Sequence, residues 1–553
     1  MRRAGSSADA RPGCEPGHDP GYDLAPGLSR RAFLTQATGA FAFTSLPLPL
    51  CAAAASGTGH PVVPTRHGLV RGRIDRDIAV FKGIRYGADT APRRFMPPLP
   101  PDRWEAVADA FEFGPASPQG GAGEPVSEDC LFLNVWTPAA EPRARRPVLV
   151  CIHGGAYAHG SGAHPLYDGI ELCRRGDVVV VTVNHRLNAF GYLYLQRFGG
   201  DALADSGNLG QLDLVLALRW VQDNIAAFGG DPQRVLTFGQ SGGGAKIATM
   251  MAMPAADGLF HRAATMSGQQ VTVSGPANAS ARARAYLDAL GLGPDDVDAL
   301  RALPAERLVE GLSAPDPVLP YGSVYFGPVL DMRSLQRHPF YPDAAPQSAH
   351  VPMIIGNTHD ETRAFLRDAK YYELTWDEVP ELLVSNMRVD IRPEYVVDRY
   401  RELYPDYSPS QVFFAATTVA RSWRGAIIEA EERARQIGAR TWAYQLDYAS
   451  PVEPHMGAPH TLDIPLVFGN LAAEGSISGT GPEARAVSAR MGDAFIALAR
   501  SGDPNHAGIP VWEPFALPRR PTLVVDIDTR MVDDPRGAER QIFARVPYVQ
   551  PGT

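Results

Sequence analysis

A short apolar strand that runs directly into a glycine-flanked serine constrains this chain more than any other feature. Val235-Leu236-Thr237-Phe238 leads into Gly239-Gln240-Ser241-Gly242-Gly243-Gly244, and a helical stretch follows. A one-residue reversal from strand to helix forces that residue into a strained backbone conformation with its side chain exposed. Small neighbours let the surrounding backbone pass. A serine at such a turn also sits at a helix N-terminus, where the dipole favours developing negative charge. A glycine-rich phosphate loop is the competing reading, but no Gly-Lys-Ser/Thr follows and no G-x-G-x-x-G occurs here. Ser241 is therefore a candidate nucleophile, set in a fold that alternates strands with helices.

The rest of the chain agrees with that fold class. Apolar runs at residues 148–152 and 178–183 are continuous rather than alternating, as in strands covered on both faces. Runs at 235–238, 263–266, 353–355, 441–446 and 523–525 extend the pattern, and helical periodicity marks 212–228, 281–290, 423–437 and 484–499. This predicts an α/β fold with a central, mostly parallel sheet flanked by helices. Length alone would suggest roughly three or four domains. No internal repeat or low-complexity linker divides the chain, so residues 56–553 are expected to form one domain with large insertions. A net charge of −9 argues against a nucleic-acid partner.

Residues 1–55 read as an address. Ser29-Arg30-Arg31-Ala32-Phe33-Leu34 resembles the twin-arginine export motif. The weakly apolar run at 32–50 is too polar for a membrane span, which needs about 20 strongly apolar residues. Ala52-Ala53-Ala54-Ala55 offers a small-residue cleavage site. The mature protein is expected to be exported, either secreted or periplasmic and cell-wall associated, with no stable membrane insertion. Cys14 and Cys51 would leave with this segment, so Cys130, Cys151 and Cys173 remain and at least one thiol of a monomer is unpaired.

An acyl-transfer serine needs amide donors for the tetrahedral oxygen and a base for its proton. Gly242 N–H is one donor. A second source is the small-residue loop after an earlier strand, Cys151-Ile152-His153-Gly154-Gly155-Ala156-Tyr157, which matches the His-Gly-Gly loop of α/β-hydrolases. His153, His159 and His164 fit no common zinc spacing. In this fold class the chain order is serine, acid, histidine. The segment from Val351 to Glu361 supplies an acid beyond the nucleophile, and His455, His460 and His506 follow it. His460 lies in a loop just before an apolar segment, whereas His506 sits in a surface-like turn.

These features sit within longer motifs. Phe81-Lys82-Gly83-Ile84-Arg85-Tyr86, Ser127-Glu128-Asp129-Cys130-Leu131-Phe132-Leu133-Asn134-Val135 and Asn208-Leu209-Gly210-Gln211-Leu212-Asp213 stand in order ahead of the serine. From about residue 67 to 543 the chain resembles the type-B carboxylesterases, the family that includes cholinesterases and neuroligins. The resemblance implies an α/β-hydrolase fold and a serine carboxylic-ester hydrolase acting on a small-molecule ester without metal or organic cofactor. It implies Ser241 as nucleophile, Glu361 as acid and His460 as base, with Gly155, Ala156 and Gly242 as oxyanion donors. It implies Gln240 and Ser267 as supporting residues, and Arg94 with Glu128 and Arg186 with Asp213 as structural ion pairs. Hydrolysis of amides or carbamates by the same triad is an alternative; a non-catalytic binding protein is another, but all three triad positions are filled. Nothing in the sequence sets an oligomeric state.

Several departures from the family pattern narrow this. Ser117 stands where the family places the disulfide partner of Cys130. The loop between them lacks the tryptophan that binds quaternary ammonium, and Gln240 replaces a glutamate, so a choline ester is not expected. Thr362 follows the acid where glycine is usual. Lys246, one of three lysines, lies just past the elbow, where it would either pack the helix or favour an acidic substrate.

Overall fold

The computed structural model describes residues 60–553 except 122, 320, 321, 388 and 551. The twin-arginine segment, its cleavage site, Cys14 and Cys51 lie outside the described residues.

Apolar, β-branched runs such as Val179-Val180-Val181-Thr182-Val183 suit a strand buried on both faces, and every residue of this one is buried. Fully burying one such valine is worth roughly 1.5–3 kcal/mol. The strands of the main sheet, numbered in chain order, are β1 (Arg73–Asp75), β2 (Ile78–Arg85), β3 (Phe132–Thr137), β4 (Arg146–Ile152), β5 (Val179–Val183), β6 (Gly230–Gln240), β7 (Arg262–Met266), β8 (Met353–Thr358), β9 (Thr441–Leu446), β10 (Pro521–Val525) and β11 (Arg530–Asp533). Across the sheet they run β11-β10-β9-β8-β7-β6-β4-β5-β3-β2-β1. The strands from β10 across to β5 are parallel. Both margins are antiparallel. This is the α/β-hydrolase architecture, with one apolar cluster on each face of the sheet.

The helices include α1 (Leu209–Asn224), α2 (Gly242–Met250), α3 (Arg424–Ala434) and α4 (Pro482–Ser501). The helical pattern at 212–228 resolves into α1 and a 3-10 turn, Ile225–Phe228, closed by Gly229 at φ 85°. β8 runs past its apolar residues because the backbone ladder continues: Asn357 pairs with Gln445 and Thr358 with Leu446. Helices Pro393–Leu403 and Pro409–Thr418 had no counterpart among the sequence expectations. Among the described residues, no helix is long and apolar enough to cross a membrane.

Register brings the carboxyl ends of the central strands side by side. Met266 pairs with Gln240 on one flank and with Gly356 on the other. Everything that follows β4, β6, β7, β8 and β9 therefore emerges along one edge, where ligands of open α/β sheets bind.

Two expected ion pairs brace this edge. Arg94 Nε donates to Glu128 Oε2 at 2.7 Å. Arg186 Nε and Nη2 grip the two oxygens of Asp213 at 2.9 and 2.7 Å, with both side chains buried. Arg186 Nη1 also donates to the Met96 carbonyl at 2.8 Å, tying that segment to α1. Removing one partner strands the other charge in the interior, so Arg186→Met should destabilise the protein by about 3–5 kcal/mol. Urea unfolding checks this, and adding Asp213→Leu should recover most of the loss. Cys130, Cys151 and Cys173 are free and buried. Ser117 lies within hydrogen-bonding reach of the Cys130 thiol, and its Oγ accepts from Leu187 N–H at 3.1 Å.

Candidate active site

β6 ends at Gln240 and α2 begins at Gly242, which leaves Ser241 alone to turn the chain. It does so at φ 55° and ψ −128°. A non-glycine residue held in such a region stores about 1–3 kcal/mol. Ser241 N–H donates to the Met266 carbonyl at 2.7 Å, and its own carbonyl accepts from Ala245 N–H at 3.0 Å. A Cβ on Gly243 would stand 2.0 Å from the Ile152 carbonyl oxygen, and one on Gly242 would stand 2.1 Å from that of Ala156. Glycine is needed at both positions because the helix start touches the loop after β4.

That loop carries the other amides. Gly155 has φ 84° and Ala156 has φ 51°, a local reversal that turns successive N–H groups to one side. Among the described residues, the amides of Gly155 and Ala156 donate to no protein acceptor. Gly242 N–H is one of the helix-start amides that have no partner within a helix. The loop is tied down around them. The Gly155 carbonyl accepts from Ala158 and His159 N–H, both at 3.1 Å, and Gln119 Oε1 accepts from Gly160 N–H at 2.7 Å. His153 stacks on His185 at 4.8 Å, and His164 Nδ1 caps a turn by accepting from Leu166 N–H at 3.2 Å.

Glu361 follows β8 in a 3-10 turn and is buried. Its Oε1 accepts from Thr358 N–H at 3.0 Å and from Asn357 Nδ2 at 3.2 Å. Its Oε2 takes a short hydrogen bond from His460 Nδ1. Burial works to raise this carboxyl, but the His460 ring and these donors outweigh it and hold Glu361 below the usual carboxylate range. Ser267 follows β7 at φ 51° and helps hold the carboxylate ionised, although its hydroxyl falls short of a regular hydrogen bond. Thr362 hydrogen bonds to Thr417 and Thr418, so the residue after the acid is anchored to the end of helix Pro409–Thr418.

With its proton on Nδ1, His460 presents a lone pair at Nε2, and the Gln240 side-chain amide donates to it at 3.1 Å. Among the described residues, the Ser241 hydroxyl makes no hydrogen bond in this resting arrangement. The Phe365 ring packs against His460 at 4.8 Å, and Arg421 lies over that ring at 5.2 Å. Asp463, one turn past His460, is buried; burial and the Glu361 charge push it up to about 7, and Tyr444 OH donates to it at 2.8 Å. Nothing in the sequence marked Asp463, Asn357 or Arg421, because their roles arise from contacts between distant segments. Arg421 lies on a π-helical turn, Val419–Trp423, a distortion that recurs at functional sites.

Ser241, His460, Gly155 and Ala156 open on one cavity of about 600 Å³. That volume suits a small organic ligand. Tyr325, Phe365 and Arg421 also line it. Lys246 is fully buried and does not line the cavity, so the reading that it favours an acidic substrate has no geometric support. His455 and His506 lie elsewhere: His455 packs against Tyr372 at 5.5 Å, and His506 Nε2 bonds the Arg490 carbonyl at 3.0 Å.

Comparison with known proteins shows the family of the chain. A model of the carboxylesterase family matches residues 59–543. A para-nitrobenzyl esterase of Bacillus subtilis (strain 168) is 34% identical over 503 residues, which cover 87% of this chain and 98% of the relative. A phenmedipham hydrolase of Pseudarthrobacter oxydans is 34% identical over 491 residues, covering 84% of this chain and 95% of the relative. The crystal structure of Geobacillus stearothermophilus carboxylesterase EST55 superposes with a TM-score of 0.78 at 39% identity, covering 87% of this chain and 99% of that one.

Proposed function

The chain belongs to the carboxylesterase family and is a carboxylic ester hydrolase, and from that premise we propose that it works through an acyl-enzyme on Ser241. The observation that carries this reading is a single cavity wall holding a strained serine, two loop amides without protein acceptors and a Glu361–His460 pair. In the first step His460 Nε2 exchanges its Gln240 donor for the Ser241 hydroxyl. It takes the hydroxyl proton as Oγ attacks the ester carbonyl. The amides of Gly155, Ala156 and Gly242 hold the oxyanion, each worth about 3–4 kcal/mol of barrier. The tetrahedral species collapses, His460 gives its proton to the leaving alcohol, and the acyl group stays on Oγ. Water then attacks with His460 again as base, and the acid departs. Glu361 keeps the imidazole in the tautomer whose Nε2 is free to accept.

The test is a fluorophosphonate, which should leave one adduct, on Ser241, and stop turnover of para-nitrobenzyl and p-nitrophenyl esters. An adduct elsewhere, or turnover that survives complete labelling, would overturn the assignment. Similarity to a phenmedipham hydrolase supports a second substrate class, carbamates, on the same triad. Matched ester, carbamate and amide substrates with one leaving group separate the classes, and the ester should be fastest.

Gln240 offers a test of the base. A carboxylate at that position would face the ring that Gln240 now touches at 3.1 Å and would favour the imidazolium. A protonated ring cannot take the serine proton. Gln240→Glu should therefore move the acid limb of kcat/KM to higher pH by about one unit. An unmoved limb would argue that another group titrates there.

A further inference from the structure

Lys246 is the one feature of the elbow that this mechanism leaves unused. It sits on α2, five residues past Ser241, with its side chain completely buried. Its ammonium donates to the His153 carbonyl at 3.2 Å and lies 5.6 Å over the Tyr157 ring. Those two contacts bracket the stretch that carries the Gly155 and Ala156 amides. Among the described residues, no carboxylate lies within ion-pair distance of it. The titratable groups that face it are His153, His159 and Tyr157 from the loop after β4, and His185 from the segment after β5. Burial holds all three imidazoles down, and the Lys246 charge holds them down further, so its surroundings are neutral. From α1, Gln211 Nε2 donates to the Lys246 carbonyl at 3.1 Å and fixes that turn of α2.

A buried cation without an anion is expensive, and a lysine kept in that state needs a compensating role. Helix packing alone would be served by leucine or methionine. Here the charge stands directly behind the oxyanion loop, in a low-dielectric interior where a charge acts strongly over short distances. We propose that Lys246 is a positioning residue whose positive charge, delivered through the His153 carbonyl and the loop it anchors, favours the oxyanion that forms in front of Gly155 and Ala156. The inference rests on the acyl-enzyme reading given above. It makes the stabilisation depend on protonation. Burial pushes the ammonium down to about 7, so the charge is present in mildly acidic solution and lost in alkaline solution. The sign is opposite to that of His460, which must lose a proton to work.

Lys246→Gln, which retains a donor for the His153 carbonyl but no charge, tests this with p-nitrophenyl butyrate from pH 6 to 9. Wild-type kcat should exceed that of the variant by about tenfold at pH 6.5, with KM within about twofold, because an indirect charge should cost less than a lost oxyanion donor. The ratio should fall toward one at pH 9, where the wild-type lysine is neutral. A structural role would lower kcat equally at every pH. A ratio near one throughout, or one that does not change with pH, overturns the proposal. Should the glutamine variant fail to fold, Lys246→Met carries the same comparison, since its apolar chain fills the same space. Fluorophosphonate labelling of Ser241 in each variant keeps the two readings apart: a wild-type enzyme that is not labelled there would refute the acyl-enzyme, whereas a labelled enzyme with a flat ratio would refute only the role of Lys246.

Discussion

Ser241→Ala should lower kcat for p-nitrophenyl esters by on the order of 10⁶-fold while leaving the fold intact and KM little changed. The elbow explains why the loss should be chemical. The turn at φ 55° is imposed by the 2.7 Å bond from residue 241 N–H to Met266 and by the close seating of Gly242 and Gly243 against the β4 loop. None of these contacts uses the hydroxyl. Alanine therefore inherits the same backbone, and the cavity of about 600 Å³ persists around it. What disappears is the oxygen proposed to carry the acyl group. The oxyanion amides remain, so the variant should still exceed the uncatalysed rate by about 10³–10⁴-fold, through water attack on a bound ester. Thermal melting within a few degrees of wild type, together with complete loss of fluorophosphonate labelling, would confirm the separation of fold from chemistry. A variant retaining more than a hundredth of the wild-type kcat would remove Ser241 from its assigned role.

How much of this was readable beforehand differed with the range of the interaction. The elbow is local: strand, serine and glycines are contiguous, and steric exclusion by backbone at 2.0–2.1 Å is what demands glycine at 242 and 243. The parallel strands were legible because burial on both faces leaves an unbroken apolar run, as at Val179–Val183. Chain order leaves His455, His460 and His506; the local context favours His460, and the resemblance to a known family singles it out. Of those three, only His460 lines the cavity in the structure. The Asn357–Ser422 hydrogen bond of 2.7 Å joins residues 65 positions apart, and no local pattern encodes it. The sequence favours a helix-packing role for Lys246 over one toward an acidic substrate, and its full burial agrees, but its contact with the His153 carbonyl depends on a fold that no local pattern specifies. Ser117 stands where the resembled family places a disulfide partner, and its service to Leu187 N–H depends on a loop fold that sequence does not specify.

Glu361→Gln should reduce kcat by about 10⁴-fold, and hydrogen-bond polarity is the reason. Oε1 of Glu361 accepts from Thr358 N–H at 3.0 Å, a backbone donor that cannot reverse its sense, and from the Asn357 amide at 3.2 Å. A glutamine side chain will place its carbonyl oxygen there, because turning its NH₂ toward the Thr358 N–H would leave two buried donors opposed. The NH₂ is then directed at His460 Nδ1, where the carboxylate now accepts a proton. An amide donor at Nδ1 forces the ring proton onto Nε2. In that tautomer His460 has no lone pair for the Ser241 hydroxyl, and the base is lost although every residue keeps its place. The variant should lose some stability, because the fold favours the Glu361 charge that it lacks, offset in part by relief of Asp463, which that charge helps push up to about 7. Glu361→Asp separates polarity from reach: it keeps the carboxylate, shortens the side chain, and should lose less activity than the glutamine variant. Measuring both kcat values at one pH decides the matter, since a glutamine variant as active as the aspartate one would mean that Glu361 holds structure and does not set the tautomer of His460.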